Sequence, residues 1–254
     1  MTEETKLSAV TSFRRRSLPW VFCGLVLVVS CGAVAAAALA SGGGASRGLA
    51  VSTAPPAPTV SAIPVAVFVG DSYTQGLGAS SPVTRWSTLV AEEAGWTEVN
   101  QGLGGTGYVT AASAIDCGQK QCPTYPDRVA DVIASAPDVV VIAGGQNDRW
   151  ALGTDPQFVR AAVNETFRLI RAELPNARLI AVGPSTAEPA TAMLTDLDGW
   201  VQAAAHRVDA EYVSLLDPVV IRAEMVVADG VHVDDAGHRA IADRVLATAL
   251  TRAD

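Results

Sequence analysis

Downstream of residue 62 the chain alternates two patterns of apolar and polar positions. Short apolar, largely β-branched runs at 64–69, 97–100, 138–143, 178–182 and 212–216 read as strands. The third, DVVVIA, is so uniformly apolar after its aspartate that it predicts a strand buried on both faces. Longer mixed stretches between the strands read as helices. These are 82–94, ended by Gly95; 126–136, opened and closed by prolines; about 156–173; 189–207; and 235–251. In the third of them Phe158, Ala162, Phe167 and Leu169 lie near helical spacing and form the expected buried stripe. Strands alternating with helices predict a parallel sheet covered on both faces, a three-layer α/β/α sandwich with five strands. In open sheets of this kind ligands bind beyond the carboxyl ends of the strands. Functional residues are therefore expected just after the strands.

The first 62 residues follow neither pattern. Residues 18–40 (LPWVFCGLVLVVSCGAVAAAALA) carry no charge and match the ~20 residues a helix needs to cross a bilayer. Arg14, Arg15 and Arg16 precede them, which predicts a cytoplasmic N-terminus and export of the remainder. Three fates of the segment stay open. Ala38-Leu39-Ala40 before Ser41 suits signal peptidase, Val28-Val29-Ser30-Cys31 resembles a lipobox, and an uncut anchor is the third. Residues 41–62 are rich in glycine and then proline and read as a tether, so 63–254 is the expected folded domain.

Charge narrows the partners. The first 40 residues set two acids against four bases, leaving −10 for the rest of a chain whose total is −8. No basic, aromatic-rich stretch stands out, which argues against nucleic acid. Of four cysteines, Cys23 and Cys31 fall in the apolar segment. Cys117 and Cys122 fall in the exported part, where a local disulfide shaping one loop is expected.

Four of the five strands are followed by residues that could do chemistry: the first by Gly70-Asp71-Ser72, the second by 100–107 (NQGLGGTG), the third by Gly144-Gly145-Gln146-Asn147-Asp148 and the fifth, after a spacer, by Asp229-Gly230-Val231-His232. Alone, each also reads as a cap or a turn. Together they supply a hydroxyl, a base with an acid to orient it, and donors for an oxyanion. In content and order these blocks resemble the SGNH (GDSL-type) hydrolases, and the likeness spans essentially the whole domain. The resemblance implies a flavodoxin-like fold and a serine esterase needing no cofactor. Ser72 would be the nucleophile, His232 the base and Asp229 its orienting acid. The Ser72 N–H, the Asn147 amide and a glycine N–H would form the oxyanion hole; Gly105 takes that place if Asn100 is aligned on the family's asparagine, with Gly104 as the alternative. Val233 departs from the proline common after the histidine.

Competing readings are weaker. GLGGTG at 102–107 fits a dinucleotide pattern but follows the second strand and leads into a cysteine-bearing loop. Neither Ser72 nor Ser185 sits in the G-x-S-x-G elbow of α/β-hydrolases. The three histidines form no metal-binding motif; His206 is expected at the surface and His238 as a packing or capping residue. A non-catalytic glycan- or lipid-binding module on the same fold is the alternative of a different class. The expected substrate is a short-chain carboxylic ester, with an O-acetylated glycan or a lipid as alternatives, and the fold commonly stands as a monomer. Tyr73, Arg149 and Trp150 are candidates to border the pocket, and the loop 106–123 to wall it.

Overall fold

The computed structural model describes residues 62–249, so the apolar segment 18–40 and most of the linker lie outside the described residues. The chain enters through β1 (Val65–Gly70), the short α1 (Ser72–Gln75), α2 (Trp86–Ala94) and β2 (Thr97–Gly102). Then come α3 (Ala114–Cys117), α4 (Val129–Ala134), β3 (Val139–Ala143), α5 (Arg149–Thr154) and α6 (Pro156–Glu173). It closes with β4 (Arg178–Val182), α7 (Ala192–Arg207), β5 (Glu211–Val213) and α8 (Asp235–Ala249). All pairings are parallel, in the order β2-β1-β3-β4-β5. The expected five-stranded α/β/α sandwich is present.

Side chains alternate across the strands with a period of two and so build two cores. Val67, Val69, Val140, Ile142, Leu179 and Ala181 face α4, α6 and α7. Ala66, Phe68, Val139, Val141, Ile180 and Val182 face α2 and α8. Both faces of β3 are thus covered, as its composition predicted.

Several expected elements differ in detail. In α6 the buried stripe is Val159, Val163, Phe167 and Ile170, whereas Phe158 is exposed and Ala162 and Leu169 are half-buried. Asp155 caps this helix by accepting the Phe158 N–H, which turns Phe158 to the solvent side. The stretch 82–94 breaks at Arg85, which is extended between a 3₁₀ turn (Pro82–Thr84) and α2 and sends its guanidinium to Glu98 at 3.0 Å. The stretch 126–136 likewise begins as a 3₁₀ turn, Pro126–Arg128. α7 starts at Ala192, not 189, because Thr191 caps it by accepting the Leu194 N–H. β5 stops at Val213, since the Ser214 hydroxyl takes the N–H groups of Leu216 and Asp217.

The chain runs from β1 outward to β2 and returns across β1 to β3. The crevice between the carboxyl ends of β1 and β3 is therefore the topological switch point, the favoured ligand position in such sheets.

Candidate active site

β1 ends at Gly70, where a Cβ would collide with the Thr74 side chain and crowd Ala143 O. Asp71 follows as the cap of α1: its Oδ1 accepts the Tyr73 N–H at 2.9 Å, and Gly76 closes the turn at φ 98°. Ser72 is therefore the first helical residue, and its N–H is one of the donors a helix start leaves free. The other oxygen of Asp71 accepts Gln146 Nε2 at 2.6 Å and the Tyr125 hydroxyl at 3.4 Å, which ties the end of β1 to the turn after β3. Asp71 is completely buried, and that desolvation raises its carboxyl to about 6 against the opposing Tyr73 N–H.

Within β2, Asn100 ties the strand to α1 by donating to Thr74 O at 2.6 Å. The Gly104 N–H is spent on Gln75 Oε1 at 2.8 Å. Gly105, at φ 74°, keeps an N–H with no hydrogen-bond partner among the described residues. The loop beyond is held by Asp148, whose carboxylate accepts the N–H groups of Tyr108, Val109 and Thr110 and the Thr110 hydroxyl. Burial pushes the Asp148 carboxyl up; these donors pull it back. Arg128, also buried, adds a third tie by donating to Gly70 O, Gln101 O and Thr106 Oγ1.

After β3 the backbone turns through Gly144 (φ 113°) and Gly145 (φ 104°), a left-handed pair that side chains other than glycine would strain. Asn147 then donates one amide hydrogen to Thr106 O at 2.9 Å and keeps the second free.

The long connection after β5 carries the histidine. Asp229 Oδ1 accepts the N–H groups of Val231 (2.8 Å) and His232 (2.9 Å), while Oδ2 meets His232 Nδ1 at 2.6 Å. The ring, followed by the two backbone N–H groups, lowers the half-exposed Asp229 carboxyl to about 2. With Nδ1 engaged, Nε2 is left for chemistry. The structure brings the Asp229–His232 pair to the same rim as Ser72, the His232 ring lying 5.9 Å from that of Tyr73. No hydrogen bond joins Ser72 Oγ to the imidazole in this resting geometry; such contacts often tighten only with substrate bound.

A protein-family model for the GDSL-like lipase/acylhydrolase family matches residues 68–240. The chain belongs to that family. It is 33% identical over 195 residues to a GDSL lipase of Mycobacterium tuberculosis (Rv0518), across 72% of this chain and 79% of that protein. Among solved structures, TesA superposes with a TM-score of 0.57 at 22% identity, over 72% of this chain and 97% of its own. A two-domain esterase active on acetylated mannans, co-crystallized with mannopentaose, gives 0.55 at 20% identity, over 74% of this chain and 49% of its own. At such identities the likeness concerns the fold. This GDSL-type chain is a carboxylic ester hydrolase.

In this GDSL hydrolase a cleft of about 400 Å³ opens beside Asn147. Its floor is Tyr73, Gln146 and Asn147; Leu152, Met193 and Leu194 form an apolar side, and Ser185, Thr186, Glu188 and Thr191 a polar one. Arg149, Gly230 and Val231 complete the border. Tyr73 and Arg149 thus line the cleft as expected, but Trp150 does not. Its neighbours Ala151 and Leu152 take the buried side of α5, and the indole points to solvent, 78% exposed. The loop 106–123 does not wall this cleft either. Cys117 and Cys122 lie against one another with Cα atoms 6.2 Å apart and pack on Leu103, which with Gln119, Lys120 and Gln121 lines a separate groove. The wall comes instead from 185–194 after β4, which carries no motif. His206 is exposed, and His238 is buried, accepting the Trp86 N–H at Nδ1 with Nε2 3.2 Å from Leu77 O.

Proposed function

We propose that the protein is an exported serine esterase acting on short-chain carboxylic esters through an acyl-enzyme. His232 Nε2 removes the Ser72 proton, and Ser72 Oγ attacks the ester carbonyl. Asp229 holds the ring by Nδ1 and stabilises the imidazolium that forms. The oxyanion accepts from the N–H groups of Ser72 and Gly105 and from the free Asn147 amide hydrogen. The alcohol leaves with the proton from His232, and water then releases the acid by the same route.

The observation that carries this reading is the set of unspent donors. Among the described residues Ser72 N–H, Gly105 N–H and one Asn147 hydrogen have no partner, while the Tyr73 and Gly104 N–H groups and the other Asn147 hydrogen are spent. Preorganised donors of this kind are usually the largest single contribution to such catalysis. The polar side of the cleft favours a second reading, an acetylated glycan as the substrate, as in the mannan-active esterase of the same fold. Export rests on the uncharged run 18–40 behind three arginines, and a lasting tie to the membrane on that run staying uncut. The oxidising compartment that follows would close Cys117–Cys122 as a disulfide.

The test is hydrolysis of p-nitrophenyl esters from acetyl to palmitoyl, with Ser72→Ala alongside. Activity confined to short acyl chains and abolished in Ser72→Ala is expected. A maximum at long chains would make the enzyme a lipase. Activity on acetylated xylan or mannan alone would favour the glycan reading, and an active Ser72→Ala would remove the nucleophile.

A further inference from the structure

The family is named for Gly-Asp-Ser-Leu, and here the fourth residue is Tyr73. Its side chain is buried, yet its hydroxyl crosses from α1 to the histidine loop and donates to Val231 O at 2.5 Å. Residues 229–231 are exposed, and their other hydrogen bonds stay within the loop: Asp229 with Val231 and His232, and Gly230 N–H with Val227 O. On the far side of His232 the loop is well anchored, since Val233 is fully buried and its carbonyl lies against Gly78. On the near side, among the described residues, the phenol is the single hydrogen bond from the body of the domain to 228–231. Ser185, from the segment after β4, lines the same cleft as Tyr73.

We infer that Tyr73 is a positioning residue: its hydroxyl latches the Asp229–His232 loop to the helix that carries Ser72 and so sets the imidazole over the serine. The latch rests on the acyl-enzyme reading above. A hydrogen bond to the carbonyl of the residue just before His232 constrains the peptide from which the ring hangs. Burial raises the phenol to about 12, so it remains a donor across any working pH. Leucine at this position would fill space without holding the loop.

The test is Tyr73→Phe in the full chain, which keeps the ring and removes only the donor. With p-nitrophenyl acetate, kcat should fall roughly 10- to 100-fold, the scale of a slightly misplaced reacting group. KM should stay within about two-fold, because the phenyl ring still lines the cleft. Deuterium uptake by 228–232 should rise while the urea midpoint holds, and 3-fluorotyrosine at position 73 should restore kcat. An unchanged kcat, a loss confined to KM, or a large drop in the urea midpoint would each overturn the latch. Ser72→Ala separates the two ideas. If it stays active, the acyl-enzyme reading has failed; if it is dead while Tyr73→Phe matches wild type, only the latch has failed. Deuterium uptake tests the latch without reference to activity.

Discussion

Gln75 Oε1 accepts the Gly104 N–H at 2.8 Å, and this one bond leaves Gly105 as the glycine of the pair with an amide to offer. The sequence favours Gly105 only through the alignment of Asn100, with Gly104 as the alternative. Gly105→Ala should lose activity strongly, because φ 74° disfavours any Cβ and the N–H would turn away. Gly104→Ala, with its amide already spent, should retain more. Steady-state kinetics of the two variants decide it; equal losses would reject the assignment.

Asn147→Ala removes the one side-chain donor proposed for the oxyanion. Turnover should fall ~10²–10³-fold if that hydrogen is aimed at the developing charge. The bond to Thr106 O is lost as well, so folding should be followed in parallel by circular dichroism. Unchanged turnover would take Asn147 out of the reaction.

Asp71 predicts an unusual pH dependence of stability. Its folded carboxyl stands at about 6 against an ordinary 3.8, so between those values the native state holds more proton than the unfolded chain. Stability from this group is complete below pH ~4 and is lost as pH rises through ~6, by about 3 kcal/mol at ~1.4 kcal/mol per unit. Asp71→Asn should cancel that part of the slope while still capping α1. Urea midpoints from pH 4 to 7.5, compared between the two proteins, measure the difference. Parallel curves would show that Asp71 does not titrate there.

Trp150→Ala should leave KM and kcat within about two-fold, since the indole lies outside the cleft and 78% exposed. A large rise in KM for small esters would contradict this placement.

Replacing Cys117 and Cys122 by serine should also leave turnover near wild type, because neither residue lines the cleft. If the pair is bridged, the cost is about 2 kcal/mol for so short a loop, read as a lower thermal midpoint. A thiol count on the denatured, unreduced protein reports the bridge itself.

The strands and the four blocks were legible because each depends on local pattern: β-branched runs for β1, β3 and β4, and short motifs at 70–72, 100–107, 144–148 and 229–232. What was not legible depended on the third dimension. α1 and α5 span four and six residues, too few for a 3.6-residue period to show. Phe158 and Leu169 suggested a stripe one position away from the real one, and only the cap at Asp155 fixes the phase. Ser185, Thr186 and Thr191 look like ordinary loop residues. They border one cleft with Tyr73 because β4 lies two strands from β1, an order that no spacing along the chain reveals. Asp71 and Asp148 stood inside recognised blocks, yet their work as braces appears only once their partners, up to 75 positions distant, are in place.

Those braces divide the rim unequally. The turns after β1, β2 and β3 are lashed together by Asp71, Asp148 and Arg128, whereas 186–194 shapes the cleft without sharing in that bracing. Substrate preference and reactivity are therefore separable cargo. Variation in 186–194 should redirect the enzyme toward new esters while the bond-breaking apparatus stays untouched, which makes that stretch the natural place for a randomised library.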